Sequence, residues 1–224
     1  MREDGWVLYG AAAGAAAILF FVAGFAVVGT PPGFDAPATR IAAWFGDDRT
    51  RIQVGSAIAA ASTPFFIWFL ATVHSLTRPL GSGARRAGVV AFGCGLIAVA
   101  LFLADTTALL VAALRPENMR ASPELASALF DFSFLALGVG AFAFAGVFAA
   151  YAVLVLRDRA LWPAWLGWAA AVSAVLTAMR VGCVFTDSGP FAADGVFGFY
   201  APVVAFTSWI AVASLALAVQ VRRG

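Results

Sequence analysis

Long apolar runs separated by short polar stretches organise this chain. Six windows, roughly 6–28, 53–76, 88–113, 125–156, 161–185 and 196–219, are almost continuously hydrophobic. Each reaches the roughly 20 residues that a helix needs to cross about 30 Å of hydrocarbon. The fourth is longer and is expected to tilt or to project beyond the bilayer. The first is too long for the hydrophobic region of a secretion signal, and Arg2 is offset by Glu3 and Asp4, so it reads as a span. The pattern predicts one all-α domain over residues 1–224, a polytopic transmembrane bundle of six spans.

Local punctuation marks the connections. Ser122-Pro123-Glu124 offers an N-cap, a proline at the first helical position and an acid at the positive helix end. In the first connection Ile41, Trp44 and Phe45 repeat at i, i+3, i+4 while Arg40 and Asp47 point elsewhere, which predicts a short helix lying on the outer surface. Trp162, Trp165 and Trp168 are expected to anchor the fifth span at the membrane interface. Pro64, near the middle of the second window, and Pro202, near the start of the sixth, each remove a main-chain hydrogen bond and should kink their helices. Gly10 and Gly14 form a small-residue pair suited to close helix contact. Gly81-Ser82-Gly83 follows no strand and reads as a linker.

Composition narrows the chemistry. The chain is 62% hydrophobic and only 12% charged, with a mean hydropathy of +0.92. That excludes a water-soluble globule, a disordered tail and a secreted disulfide scaffold. All 14 basic residues are arginine, so lysine Schiff-base chemistry is excluded. His74 is the one histidine, and Cys94 and Cys183 are the two cysteines, too few for the usual zinc, haem or iron–sulfur ligand sets. No metal and no cofactor is expected. The two cysteines fall near opposite ends of their helices, so no disulfide is expected between them. A net charge of +2 without a basic patch argues against nucleic acid.

Arginine placement sets the expected orientation. With the N-terminus inside, the inner segments hold Arg2, Arg78, Arg85, Arg86, Arg157, Arg159, Arg222 and Arg223. The outer ones hold Arg40, Arg49, Arg51, Arg115 and Arg120, with most of the acids. Both termini are therefore expected to be cytoplasmic, in a multi-pass protein of the cell membrane.

Three charges fall inside the spans: Asp105, Asp131 and Arg180. Each would cost about 2.5–3.5 kcal/mol at the bilayer centre if uncompensated. At about 1.5 Å of rise per residue, all three lie in the outer half. Polar stripes share that half: Ser173, Thr177 and Arg180 on the fifth span, Glu124, Ser127 and Asp131 on the fourth, Arg49, Gln53, Ser56 and Thr63 on the second, and Tyr200, Thr207 and Ser214 on the sixth. The expectation is one polar outer pocket with Arg180 between the two aspartates. Its candidate ligand-binding residues are Arg180, Thr177, Ser127, Glu124, Thr63 and Tyr200, and its candidate catalytic residues are Asp105 and Asp131. A structural Asp105–Arg180 tie is the competing reading.

Several segments carry a resemblance. They are Arg115-Pro116-Glu117 running to Ser122-Pro123-Glu124-Leu125 and Asp131, then Trp162-Pro163-Ala164-Trp165-Leu166-Gly167-Trp168, then Gly189-Pro190-Phe191-Ala192 with Gly195, Phe199, Tyr200 and Pro202. Together with Arg49–Phe69 they resemble an uncharacterised bacterial family of small multi-helix integral membrane proteins, a domain of unknown function. The resemblance implies a multi-helix membrane fold and assigns no activity.

Three functions fit the residues. The first is a protein that binds or moves an apolar or amphipathic small molecule through the outer pocket. The second is a membrane-embedded enzyme acting on a lipid or isoprenoid, with an aspartate as general acid. The third is a non-catalytic accessory subunit of a membrane complex, forming homo- or hetero-oligomers through the small-residue faces of the first helix and of the fourth (Gly138, Gly140, Gly146).

Overall fold

The computed structural model describes residues 3–158 and 161–223; Arg2 and Arg159 of the arginine count lie outside them. Nine α-helices cover most of the described residues, among which there is no strand: α1 (Glu3–Val28), α2 (Ala38–Asp47), α3 (Arg49–Ala60), α4 (Ser62–Thr77), α5 (Ser82–Leu114), α6 (Pro116–Ala121), α7 (Pro123–Asp158), α8 (Ala164–Met179) and α9 (Ala201–Arg223). Six helical stretches are long and apolar enough to cross a membrane: Gly5–Val28, Arg49–Leu80, Ser82–Leu114, Pro123–Arg157, Ala164–Val184 and Val196–Val221. They fall on the six apolar windows. The outward faces are apolar too, with Leu19, Phe142, Val175, Val204 and Leu215 all exposed. A surface of that kind is built for hydrocarbon rather than water.

Both interior prolines leave a visible mark. Pro64 has no N–H for the carbonyl of Ala60, and the second span breaks there, α3 ending at Ala60 and α4 starting at Ser62. The hydroxyl of Thr63 donates to that carbonyl at 2.8 Å. Pro202 likewise withholds an N–H from the carbonyl of Gly198. The chain takes a π-helical turn over Val196–Tyr200 before α9 begins. The side chain of Arg180 donates to the released carbonyl, Nη1 to O, at 2.5 Å.

The interior divides into two apolar clusters. One lies at the end of the bundle where α7 turns into α8. There Tyr151 stacks on Trp209 with ring centroids 5.1 Å apart, and Trp162 meets both edge-on. Trp209 Nε1 donates to Leu166 O at 3.2 Å. Trp162 is thus a core residue, buried to 4% exposure, while Trp165 and Trp168 stay exposed. This corrects the expectation that all three would line the interface: Trp162 precedes α8, and the turn before the helix folds its ring inward under α9.

The second cluster caps the opposite end. Helix α2 forms where the spacing placed it, with Arg40 and Asp47 outward. Its apolar face, however, packs on protein. Ile41, Trp44 and Phe45 lie against Met119, Phe130 and Phe134, carried by α6 and the first turns of α7. Helix α7 has 36 residues, about 54 Å at 1.5 Å per residue, and its start rises into this cap. The carbonyl of Ser122 receives the N–H groups of Leu125 and Ala126 as that helix begins.

Small residues set the close helix approaches. Gly24 of α1 faces Ala59 of α3, where an added Cβ would come within 2.5 Å of the Ala59 nitrogen. Gly10 faces Thr72, Gly14 faces Phe69 and Ser214, and Gly138, Gly140 and Gly146 face Cys183, Leu101 and Cys94. The small-residue faces of α1 and α7 are therefore occupied from within the chain. Both cysteines are free thiols.

Candidate functional site

Beneath the α2 cap lies a cavity of about 510 Å³. Its walls come from the end of α1 and the loop after it, from α3, α5 and α7, from the 185–195 loop and from the π-helical turn. Gly29 closes α1 with a φ of +79° and its N–H on Phe25 O at 3.0 Å, the left-handed cap that glycine adopts without strain. That turn lets the chain cross the cavity mouth as Thr30 and Pro31. Exposed residues in the lining, Ala26, Thr30, Asp194 and Tyr200, mark the opening between the end of α1 and the approach to α9.

The walls are mainly aromatic and aliphatic, with Phe25, Trp44, Phe134 and Phe199 among them. Polar groups converge on the space. Asp105 of α5 is 4% exposed and lines it beside Thr106 and Ser133. The hydroxyls of Thr106 and Ser133 donate to carbonyls of their own helices, Thr106 to Phe102 at 3.0 Å and Ser133 to Phe130 at 3.0 Å. Ser56 Oγ and Trp44 Nε1 are buried, line the cavity and have no hydrogen-bond partner. Such groups cost free energy when buried without a partner.

Phe25, Leu137 and Phe199 separate this cavity from a smaller chamber of about 60 Å³. Arg180 and Thr177 are its polar lining among phenylalanines. Arg180 is 6% exposed, and its guanidinium carbon sits 5.8 Å from the centre of the Phe199 ring, within cation–π range. Its Nη2 and Thr177 Oγ1 are unpartnered. A chamber of this size admits water, which needs only about 10–15 Å³ per molecule and two or more polar partners.

Arg180 lies within electrostatic range of Asp105 without touching it. The ion pairs among the described residues are Arg51–Asp48 at 3.2 Å, Arg120–Asp47 at 3.1 Å and Arg120–Glu117 at 3.2 Å, all in the cap. In place of the one expected pocket with Arg180 between the aspartates there are two neighbouring chambers, Asp105 lining one and Arg180 the other, and the competing direct tie is not formed.

Asp131 does not join them. It is half-buried, lines none of the cavities described here and has no ion pair or side-chain hydrogen bond among the described residues. Its stripe partners Glu124, exposed, and Ser127, half-buried, also lie off the cavities. The three do share a helical face, but α7 turns a different one inward. Phe130, Ser133, Phe134 and Leu137 face the interior, and at about 100° per residue Asp131 lies well round the helix from Ser133.

The other expected residues are distributed along the path. Tyr200 stands at the mouth, 58% exposed. Thr63 lines a void of about 20 Å³ deeper in the bundle, with its hydroxyl committed to Ala60. Trp44 and Asp194 reach the cavity from the connections; helical spacing marked Trp44 as part of a short surface helix and not as a wall of the pocket, and nothing marked Asp194. Ser56 stood in the polar stripe of the second span. No group of three or more His, Cys, Asp and Glu side chains comes together among the described residues. Compared with protein-family models, curated proteins and solved structures, the chain matches none.

Proposed function

We propose that this protein binds an apolar or amphipathic small molecule in the 510 Å³ cavity, with the arginine-poor, capped end of the bundle facing outward and both termini in the cytoplasm. One observation carries the reading: a large, mostly apolar space inside a multi-helix bundle holds Asp105 without an ion pair among the described residues, and Ser56 Oγ and Trp44 Nε1 without hydrogen-bond partners. Apolar walls with a few convergent polar groups are the usual make-up of a small-molecule site. The ligand's body would lie against the aromatic rings and its polar end would meet Asp105.

A catalytic role would rest on Asp105 alone, because Asp131 is elsewhere; no observation favours it over binding. Movement of the ligand across the membrane needs the aromatic constriction around Phe25, Leu137 and Phe199 to open.

The test is binding of a solvatochromic naphthalene dye to the full-length protein in detergent. Saturable binding is expected, and Leu109→Trp, which fills the cavity from α5, should weaken it at least about tenfold, as loss of a buried site predicts. Equal dye binding by the wild type and the filled variant would overturn the reading, as would no binding at all.

A further inference from the structure

We infer that the ligand of this cavity is an amphipathic organic cation, an amine or quaternary ammonium attached to an apolar body; the inference rests on the binding function proposed above. The titratable groups in the lining are two acids, Asp105 inside and Asp194 at the mouth, together with Tyr200; no arginine or histidine lines it. A buried carboxylate without a contacting cation is costly, and here the space beside it is open. Among the described residues Arg180 is the cation within electrostatic range of Asp105; it makes no ion pair with it, and its Nη2 is unpartnered. One of its nitrogens is on Gly198 O, its guanidinium lies against Phe199, and it lines the neighbouring chamber.

The remaining walls suit the same ligand. Phe25, Trp44, Phe134, Phe199 and Tyr200 line the space, and a cation gains electrostatic attraction from the face of an aromatic ring. At the mouth, Asp35 and Asp194 both approach Gly33, so the approach carries two exposed acids. Arg51, whose Nη2 lies against Gly29 at the same mouth, is paired through Nη1 with Asp48 at 3.2 Å and donates from Nε to Val27 O at 3.3 Å. Ser56 Oγ and Trp44 Nε1 add a hydroxyl and an N–H donor for an oxygen next to the cationic head. An anionic ligand would instead meet Asp105 and both mouth acids.

The experiment is displacement of the naphthalene dye by three matched probes: 4-phenylbutyl-trimethylammonium, its neutral isostere with tert-butyl in place of trimethylammonium, and 4-phenylbutyl-sulfonate. The cation is expected to displace the dye at least about tenfold more effectively than the isostere, and the sulfonate least, in keeping with a desolvated cation–π and carboxylate site. Asp105→Asn should remove the cation's advantage over the isostere, read as the ratio of the two displacements within the variant, and its far-UV circular dichroism reports that it is folded. The wild-type comparison stands without the variant. A cation no better than its isostere, or a sulfonate as good as the cation, would overturn the inference while leaving the binding reading in place. Failure of the dye to bind would overturn both.

Discussion

The two ends of the bundle are built from the same kinds of side chain and come out differently. At the α7–α8 end, Tyr151, Trp162 and Trp209 interlock with Leu154, Leu166 and Leu217, all essentially without exposure. At the capped end, Phe25, Trp44, Phe134 and Phe199 line a space of about 510 Å³. Aromatic content does not decide between a packed core and a cavity. What differs is the way the rings are delivered. In the packed end they come from regular helices in register, α7 and α9, with one loop residue, Trp162, filling the middle. In the open end two wall elements are interrupted helices, the π-helical turn before Pro202 and α3 before Pro64, and the roof is a short helix joined by loops. The open end thus coincides with the interrupted elements, although the segment after the Pro64 break goes on to pack into the dense cluster through Phe66, Phe69 and Leu70.

This contrast can be broken most forcefully at Trp209. Trp209→Ala should cost about 3–5 kcal/mol, the range for removing a large buried aromatic, and lower the midpoint of thermal unfolding in detergent. Dye binding by the folded fraction should be unaffected. A loss of binding without a loss of stability would mean that the two ends are not separate.

Arg180→Leu tests the open end. It leaves the Gly198 carbonyl without its donor, at an expected cost of about 1–3 kcal/mol for an unpaired buried acceptor, and it also removes a buried charge whose own desolvation was unfavourable. The net stability loss should therefore be smaller than that of Trp209→Ala. Because Phe199 and Tyr200 belong to the same turn, dye affinity should fall with it, and Arg180→Lys should restore part of that affinity. Unchanged affinity in Arg180→Leu would show that the turn holds its shape without the arginine.

Asp131→Asn is the smallest. A half-buried residue off the cavities should change stability by less than about 0.5 kcal/mol and should leave probe binding alone. A clear effect on binding would place Asp131 in the site after all.

The six spans were legible because hydropathy is a local property: every residue of a window votes for the same solvent. The two prolines were legible as interruptions for the same reason, since a missing N–H acts within one helical turn. Asp105 and Arg180 were found because a charge in hydrocarbon must be turned inward. That rule misplaced Asp131, since it assumes that every face of a long helix meets either protein or lipid. The outward stretch of α7 near its start lies within reach of the cap, where a half-buried carboxylate needs no partner. The i, i+3, i+7 spacing identified a common face for Glu124, Ser127 and Asp131, but only the packing of α5 and α2 on α7 decides which face is inner. The roof of the cavity was illegible for a further reason. Trp44 lies far along the chain from the neighbours Ala193 and Asp194, and they meet through loop paths that no periodicity encodes.

The paired proline breaks give the cavity walls an unusual mechanical character. In an unbroken helix, moving one segment relative to the next means tearing several main-chain bonds at once. Here the Ala60 carbonyl is held by a threonine hydroxyl and the Gly198 carbonyl by an arginine side chain, and each seam adjoins a stretch that lines the cavity. Moving either stretch relative to the next costs that side-chain contact together with the main-chain bonds that still cross the seam, Ala61 N–H on Ala57 O and Ala201 N–H on Val196 O. At these two seams the wall is therefore held with fewer main-chain bonds than an unbroken helix supplies, much as a door hangs on pins rather than on its whole edge.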